Sequence, residues 1–185
     1  MELDPVFGAL IAICFALLFA SAAVHKWRNL RSFEEAFAAY ALLRQLPRLH
    51  LVWMVPLAET AVALGLLAGA TRAAPTRAVA AVGGALLLLG YAGAIARNLA
   101  RGRRDIACGC GGPDQRRPIA GWMAWRNVLL ALLLAIGICP WSDRVISWMD
   151  GATIAFGVAA ATVVYLCFDR LGQLMARART LQGSA

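Results

Sequence analysis

"PVFGALIAICFALLFASAAV", residues 5 to 24, decides the fold. It runs twenty residues without a charge, close to the roughly 20 apolar residues that carry an α-helix through the hydrocarbon of a bilayer. The preceding "MELD" is acidic, whereas a cleavable export signal opens on a basic region and has a shorter apolar core. The segment therefore reads as a retained span, with "ASA" at Ala20 to Ala22 inside it and not a cleavage site.

The rest of the chain repeats the pattern. Charged residues make up 15% of the 185 positions and mean hydropathy is +0.68, too few and too apolar for an ordinary soluble domain with roughly 25% charge. Further apolar runs cover about 52–70, 78–96, 121–139 and 151–168, the fourth stopped by Pro140. "GLLAG", Gly65 to Gly69, gives the second run a face for close helix packing. A turn, "TRAAPTR", leads into the third. The expected fold is an all-α integral membrane protein, one domain over 1–185 built as a bundle of about five transmembrane helices. One further helix, 32–46, is too short and polar to span. Phe33, Phe37, Tyr40 and Ala41 share one face of it, and Ser32 and Glu35 have capping-box spacing. It reads as an amphipathic helix at the membrane surface.

Net charge is +8 with a pI near 10.1, a balance also found in nucleic-acid binders, but the charges fall between the apolar runs, as loop charges of a membrane protein do. No nucleic-acid partner is expected; the lipid bilayer is. Lys and Arg resist translocation, and alternate connections carry fifteen of them against three. The N-terminus is thus expected outside, periplasmic in a bacterial inner membrane, and the C-terminus cytoplasmic.

Chemistry concentrates in "DIACGCGGPD", residues 105 to 114, on the longest polar connection. Cα atoms of Cys108 and Cys110 would lie about 7 Å apart in extended chain, and disulfide Cα atoms prefer roughly 5.5–6 Å. The chain must bend at Gly109, which has no side chain to oppose it. A ring that small is strained, and strained disulfides exchange readily; nearby arginines favour the attacking thiolate. A redox pair is the favoured reading, beside metal binding and two ordinary loop cysteines. Two thiolates cannot close a four-ligand zinc site, and the spacing of His25 and His50 adds nothing to them, so no metal is expected. Five cysteines in no extracellular spacing make no disulfide scaffold. Cys14 reads as a buried packing residue, and Cys139 and Cys167 as inert thiols.

Glu59 lies inside the second run, where a carboxylate needs a partner or a polar cavity. His25, Lys26, Arg126 and Asn127 are the candidates at the same face, for a structural clamp or for proton or electron transfer. Tyr40 and His50 read as interfacial, and Trp122, Trp125, Trp141 and Trp148 as headgroup-level rings flanking spans.

Taken together, "SAAVHKW" closing the first run, "FAAYALL" before the second, the in-span Glu59, "CGCGG" and then "WRN" opening the fourth resemble the MauE family of methylamine-utilisation membrane proteins. That family is related to the DoxX-like redox-associated group. Family members more often read Asp-Cys-Gly-Cys-Phe-Gly, from which Ala107 and Gly111 depart. The resemblance implies a role in maturing periplasmic methylamine dehydrogenase, whose small subunit is rich in disulfides, with a thioredoxin-like protein of the MauD type as partner. It carries over Cys108 and Cys110 as redox residues, and Lys26, Glu59, Arg126 and Asn127 as motif positions without assigned roles. Three readings follow: a thiol–disulfide electron conduit; a quinone-linked oxidase with the quinone near Glu59 and Arg126; and a non-catalytic scaffold for the same maturation. No cofactor is required except the quinone of the second. A transporter is disfavoured, since no internal repeat or pair of broken helices is evident.

Overall fold

The computed structural model describes residues 3–40, 48–71, 74–103, 119–142 and 144–182. Six helices follow in order: α1 (Pro5–Arg28), α2 (Leu30–Ala39), α3 (Arg48–Thr71), α4 (Ala74–Ala100), α5 (Gly121–Ile136) and α6 (Trp148–Gln182). Four of them, α1, α3, α4 and α6, are long and apolar enough to cross a membrane. α5 has only 16 helical residues, about 24 Å at 1.5 Å per residue. The expected fourth span, 121–139, is nevertheless present as a shape. Gly137, Ile138 and Cys139 continue the chain with N–H bonds to Leu134, Ala135 and Ile136 three residues back. A tighter last turn rises about 2 Å per residue, so the run reaches roughly the 30 Å of a hydrocarbon core. The expected five-helix bundle is thus α1, α3, α4, α5 and α6.

Boundaries move where helices outrun their apolar cores. α4 begins at Ala74 with Pro75 in its first turn, where a missing N–H costs no bond, so the expected turn shrinks to the residues between Thr71 and Ala74. α6 extends well past the expected 151–168 in both directions. The amphipathic helix begins earlier, at Leu30, with Asn29 at its N-cap and no side-chain cap bond. Ser32 therefore lies inside the helix, and the expected capping box does not form. Residues 41–46 of that prediction lie outside the described residues.

The main core sits between α1, α3, α4 and α5: Phe15, Ala16, Phe19, Val62, Ala63, Leu66, Ala80, Ala81, Leu88, Ala131 and Leu134 are all buried. Small residues bring backbones together. A Cβ on Gly65 would meet Ala80, and one on Gly84 would meet Leu134 and Phe19, so the packing face read at "GLLAG" is the α3–α4 seam. In contrast, α6 is peripheral. None of its best apolar window is buried, against 33–39% for α1, α3 and α4. It rests on α1 where Gly157 meets Leu10, and on α5 where Gly172 meets Trp122.

Trp141, read as a headgroup-level ring, also packs against the start of α1. Leu3 N–H bonds Pro140 O at 2.8 Å and Ser142 N–H bonds Leu3 O at 2.9 Å, which holds residues 140–142 alongside the start of the chain. The indole then presses onto Gly8 of α1, where any Cβ would fall inside the ring's van der Waals surface, and its face carries the Arg77 guanidinium at 3.7 Å. Gly8→Ala is expected to expel the indole and lower stability by about 1–3 kcal/mol, the usual cost of overpacking. Tryptophan emission shifting to the red, together with a lower unfolding midpoint, would register both effects. At the same end, Asp4 accepts from Val6 N–H and from Arg144. These bonds, that to the Val6 N–H first, hold its carboxyl below the usual range.

Candidate functional site

The opposite end of the bundle carries the buried charge. α1 and α3 run antiparallel, and Cβ atoms tilt toward the N-terminus of their own helix. Lys26, in the last turn of α1, thus sends its stem down into the bundle, while Glu59 of α3 leans up toward it. They meet at 2.6 and 2.8 Å, Nζ to both carboxylate oxygens. Lys26 is 2% exposed and Glu59 1%. Glu59 stands eleven residues into α3, which starts at Arg48 rather than near Val52, so it lies deeper than the apolar run alone suggests.

Two further elements close the pair. The Tyr91 hydroxyl of α4 donates to Glu59 Oε1 at 2.6 Å. The Lys26 ammonium lies 5.4 Å from the Phe33 ring of α2 and 5.5 Å from the Tyr91 ring, distances at which ring quadrupoles attract cations. One turn nearer the N-terminus of α3, Pro56 interrupts the helix hydrogen-bond ladder. Thr60 Oγ1 donates to Pro56 O at 2.7 Å and accepts from Trp27 Nε1 at 3.2 Å, tying α1 to α3 a second time. Two donor groups make three hydrogen bonds to one carboxylate, and four helices contribute. The described residues close over both charged groups and tie the helices together.

Of the four expected partners of Glu59, the structure selects Lys26 alone. Arg126, on α5, pairs instead with Asp169 of α6 at 2.5 Å, and Asp169 also accepts from Gln173. Trp122 and Tyr165 present their rings to the same guanidinium. Arg126 and Glu59 thus make no contact with each other among the described residues, and the Arg126 pair links α5 to α6. Asn127 is buried, with Nδ2 lacking a partner among the described residues. His25 contributes its backbone carbonyl to the α1 C-cap.

Cys108 and Cys110 lie outside the described residues, in the connection 104–118. Its two described flanks are anchored at this same end. Asn98 O takes the N–H groups of Arg101 and Arg103, and Gly102 has a left-handed φ of 74° that suits glycine. On the far flank, Ile119 is buried with Ile95, Met123 and Tyr40. Tyr40 is thus a core residue rather than an interfacial one, and α2 crosses the bundle end from Phe33 over Lys26 to Tyr40 beside α4 and α5. Cys14 is half-buried and free, and Cys139 and Cys167 are exposed and free.

The family model described as methylamine utilisation protein MauE matches residues 4–140. The chain belongs to the MauE family. Curated relatives named methylamine utilization protein MauE agree with this. The Paracoccus denitrificans protein is 36% identical over 167 residues, covering 90% of this chain and 87% of its own length. Its counterpart from Paracoccus versutus is 34% identical over 179 residues, 94% and 91% of the two chains. No solved structure matches. The MauE match takes in α1 to α5, the Lys26–Glu59–Tyr91 cluster and the Cys108–Cys110 pair, and ends before α6. Sequence reasoning missed Tyr91 and Asp169 in this MauE-family chain. Their only signals are a phenol in an otherwise apolar run and a lone carboxylate where the last run ends.

Proposed function

We propose that the chain is a bacterial inner-membrane thiol–disulfide exchange protein that serves the maturation of periplasmic methylamine dehydrogenase. Cys108 and Cys110 are the exchanging pair, and a thioredoxin-like protein of the MauD type is the partner. The observation that carries this reading is a Cys-Gly-Cys pair inside the matched family region, on a basic connection that favours thiolate.

In the exchange, a thiolate of the partner attacks one sulfur of the Cys108–Cys110 disulfide. The S–S bond breaks, a mixed disulfide forms, and the released cysteine takes a proton. The partner's second thiol then attacks the mixed disulfide and frees the other cysteine. Two electrons and two protons pass from the partner dithiol to the pair; the reverse sequence returns them. In the conduit reading the reverse sequence is the working one: the reduced pair gives two electrons and two protons to the partner's disulfide and is reloaded by a cytoplasmic dithiol, on the side where the charge asymmetry supports placing this connection. Lys26, Glu59 and Tyr91 position the bundle end from which the connection leaves.

Expressing Cys108→Ser and Cys110→Ser variants with the methylamine-utilisation proteins tests the reading. One of the two is expected to accumulate a reductant-sensitive adduct containing the thioredoxin-like protein. Absence of the adduct in both, with dehydrogenase maturation intact, would reject it.

A further inference from the structure

α6 crosses the membrane with little support from the bundle: none of its best apolar window is buried, against 33–39% for α1, α3 and α4. Its bundle side is set by Tyr165 and Asp169 on Arg126 and by Gly172 on Trp122. The far side carries Phe156, Ala160, Val163, Cys167, Leu171 and Leu174, all exposed. Steps of three and four residues keep these six on one straight face of a helix. Gly172 meets Trp122 in the first turn of α5, and α6 runs on to Gln182, about 15 Å past that level. Leu174 and Met175, 60% and 64% exposed, stand beyond the Arg126–Asp169 pair. The same apolar face therefore begins in the hydrocarbon and continues past the charged layer that ends the bundle.

Lipid tails cover only the membrane part of such a face, and a soluble partner only its end. A second α6 covers both. Two copies inserted in the same sense lie parallel, with equal residues at equal depth, about a two-fold axis along the membrane normal. The contours suit this. Ala160 lies one turn from the Phe156 ring, and a groove of about 580 Å³ lined by Met149, Ala152, Phe156 and Ala160, among other α6 residues, runs along this face. The ring of one copy thus meets a hollow in the other, where small residues let two helices approach closely. A strip along all 35 residues is about 52 Å long and about 10 Å wide. Counted on both helices it is about 1,000 Å², the size at which specific interfaces begin. We propose that the chain forms a parallel homodimer through the outer face of α6. The two-fold axis passes beside Cys167, and the two bundles stand on opposite sides of it.

Full-length variants that each keep one cysteine, the others being serine, test this in isolated membranes. Copper-phenanthroline is the oxidant and takes the two electrons released when two thiols join. The natural Cys167 is compared with Ala160→Cys, Val163→Cys and Leu171→Cys on the face, and with Leu166→Cys and Phe168→Cys, exposed positions on its two flanks. A disulfide needs Cα atoms about 5.5–6 Å apart, so the face positions are expected to give at least about five times the dimer yield of the flanks. The purified Cys167 chain, reconstituted with phosphatidylglycerol and phosphatidylcholine, should hold its yield when the lipid is increased several-fold. Ala160→Phe fills the hollow on an exposed surface, so it should lower the Cys167 yield at least about fivefold without moving the unfolding midpoint. Equal yields on face and flanks, or a yield that falls in proportion to lipid dilution, mark random collisions and would overturn the proposal. A Cys167 adduct with a different protein in place of the homodimer assigns the face to another occupant and rejects it as well.

Discussion

Lys26→Met is expected to destabilise the protein by about 3–5 kcal/mol, the cost of leaving one member of a buried ion pair without its partner. Glu59 is 1% exposed and receives two of its three hydrogen bonds from the Lys26 ammonium. Removing that ammonium strands a carboxylate where water cannot reach it. Lys26→Met/Glu59→Gln should recover most of the loss, because an uncharged amide keeps the acceptor that Tyr91 needs and no ion remains to be desolvated. Unfolding midpoints in detergent measure both. A double variant as unstable as the single one would show that the charge pair is not the source of the effect. If the cluster only positions helices, the double variant also restores maturation of the dehydrogenase, and a stable but inactive double variant would assign Glu59 a proton-handling role.

The second large effect concerns activity. Cys108→Ser/Cys110→Ser should reduce dehydrogenase maturation to the level of a strain without the chain, while membrane insertion and unfolding midpoint stay unchanged. Serine is nearly isosteric with cysteine but cannot form a disulfide, so no exchange step remains. Counting free thiols on the dehydrogenase small subunit by alkylation and mass measurement gives the direct readout. Full disulfide content with the double variant would exclude both redox readings and leave the scaffold.

Hydropathy reveals which segments enter the bilayer, and α1, α3 and α4 were legible in that sense. It does not reveal how each helix is rotated about its axis. Glu59 was recognisable as a carboxylate in need of a partner because a bare one is expensive in hydrocarbon. Which of four candidates met it depended on rotation and on neighbours, and only Lys26 had both. Arg126 lies at the correct depth but turns toward α6. Trp141 illustrates the same limit. A ring beside Pro140 reads as interfacial, but that it packs on Gly8 follows only from the pairing of Leu3 with residues 140–142. Pairings between residues more than a hundred positions apart leave no periodic trace in the chain.

The length of α6 has a mechanical meaning. At 35 residues it is about 52 Å long, and its apolar part alone, 28 residues, is about 42 Å, longer than the roughly 30 Å hydrocarbon. Such a helix is accommodated by leaning, by kinking or by a locally thicker bilayer. Near one end α6 is tied by Asp150 to Arg144, and toward the other by Asp169 to Arg126. The two ties place any adjustment of α6 to bilayer thickness against the loop before α6 and the first turns of α5.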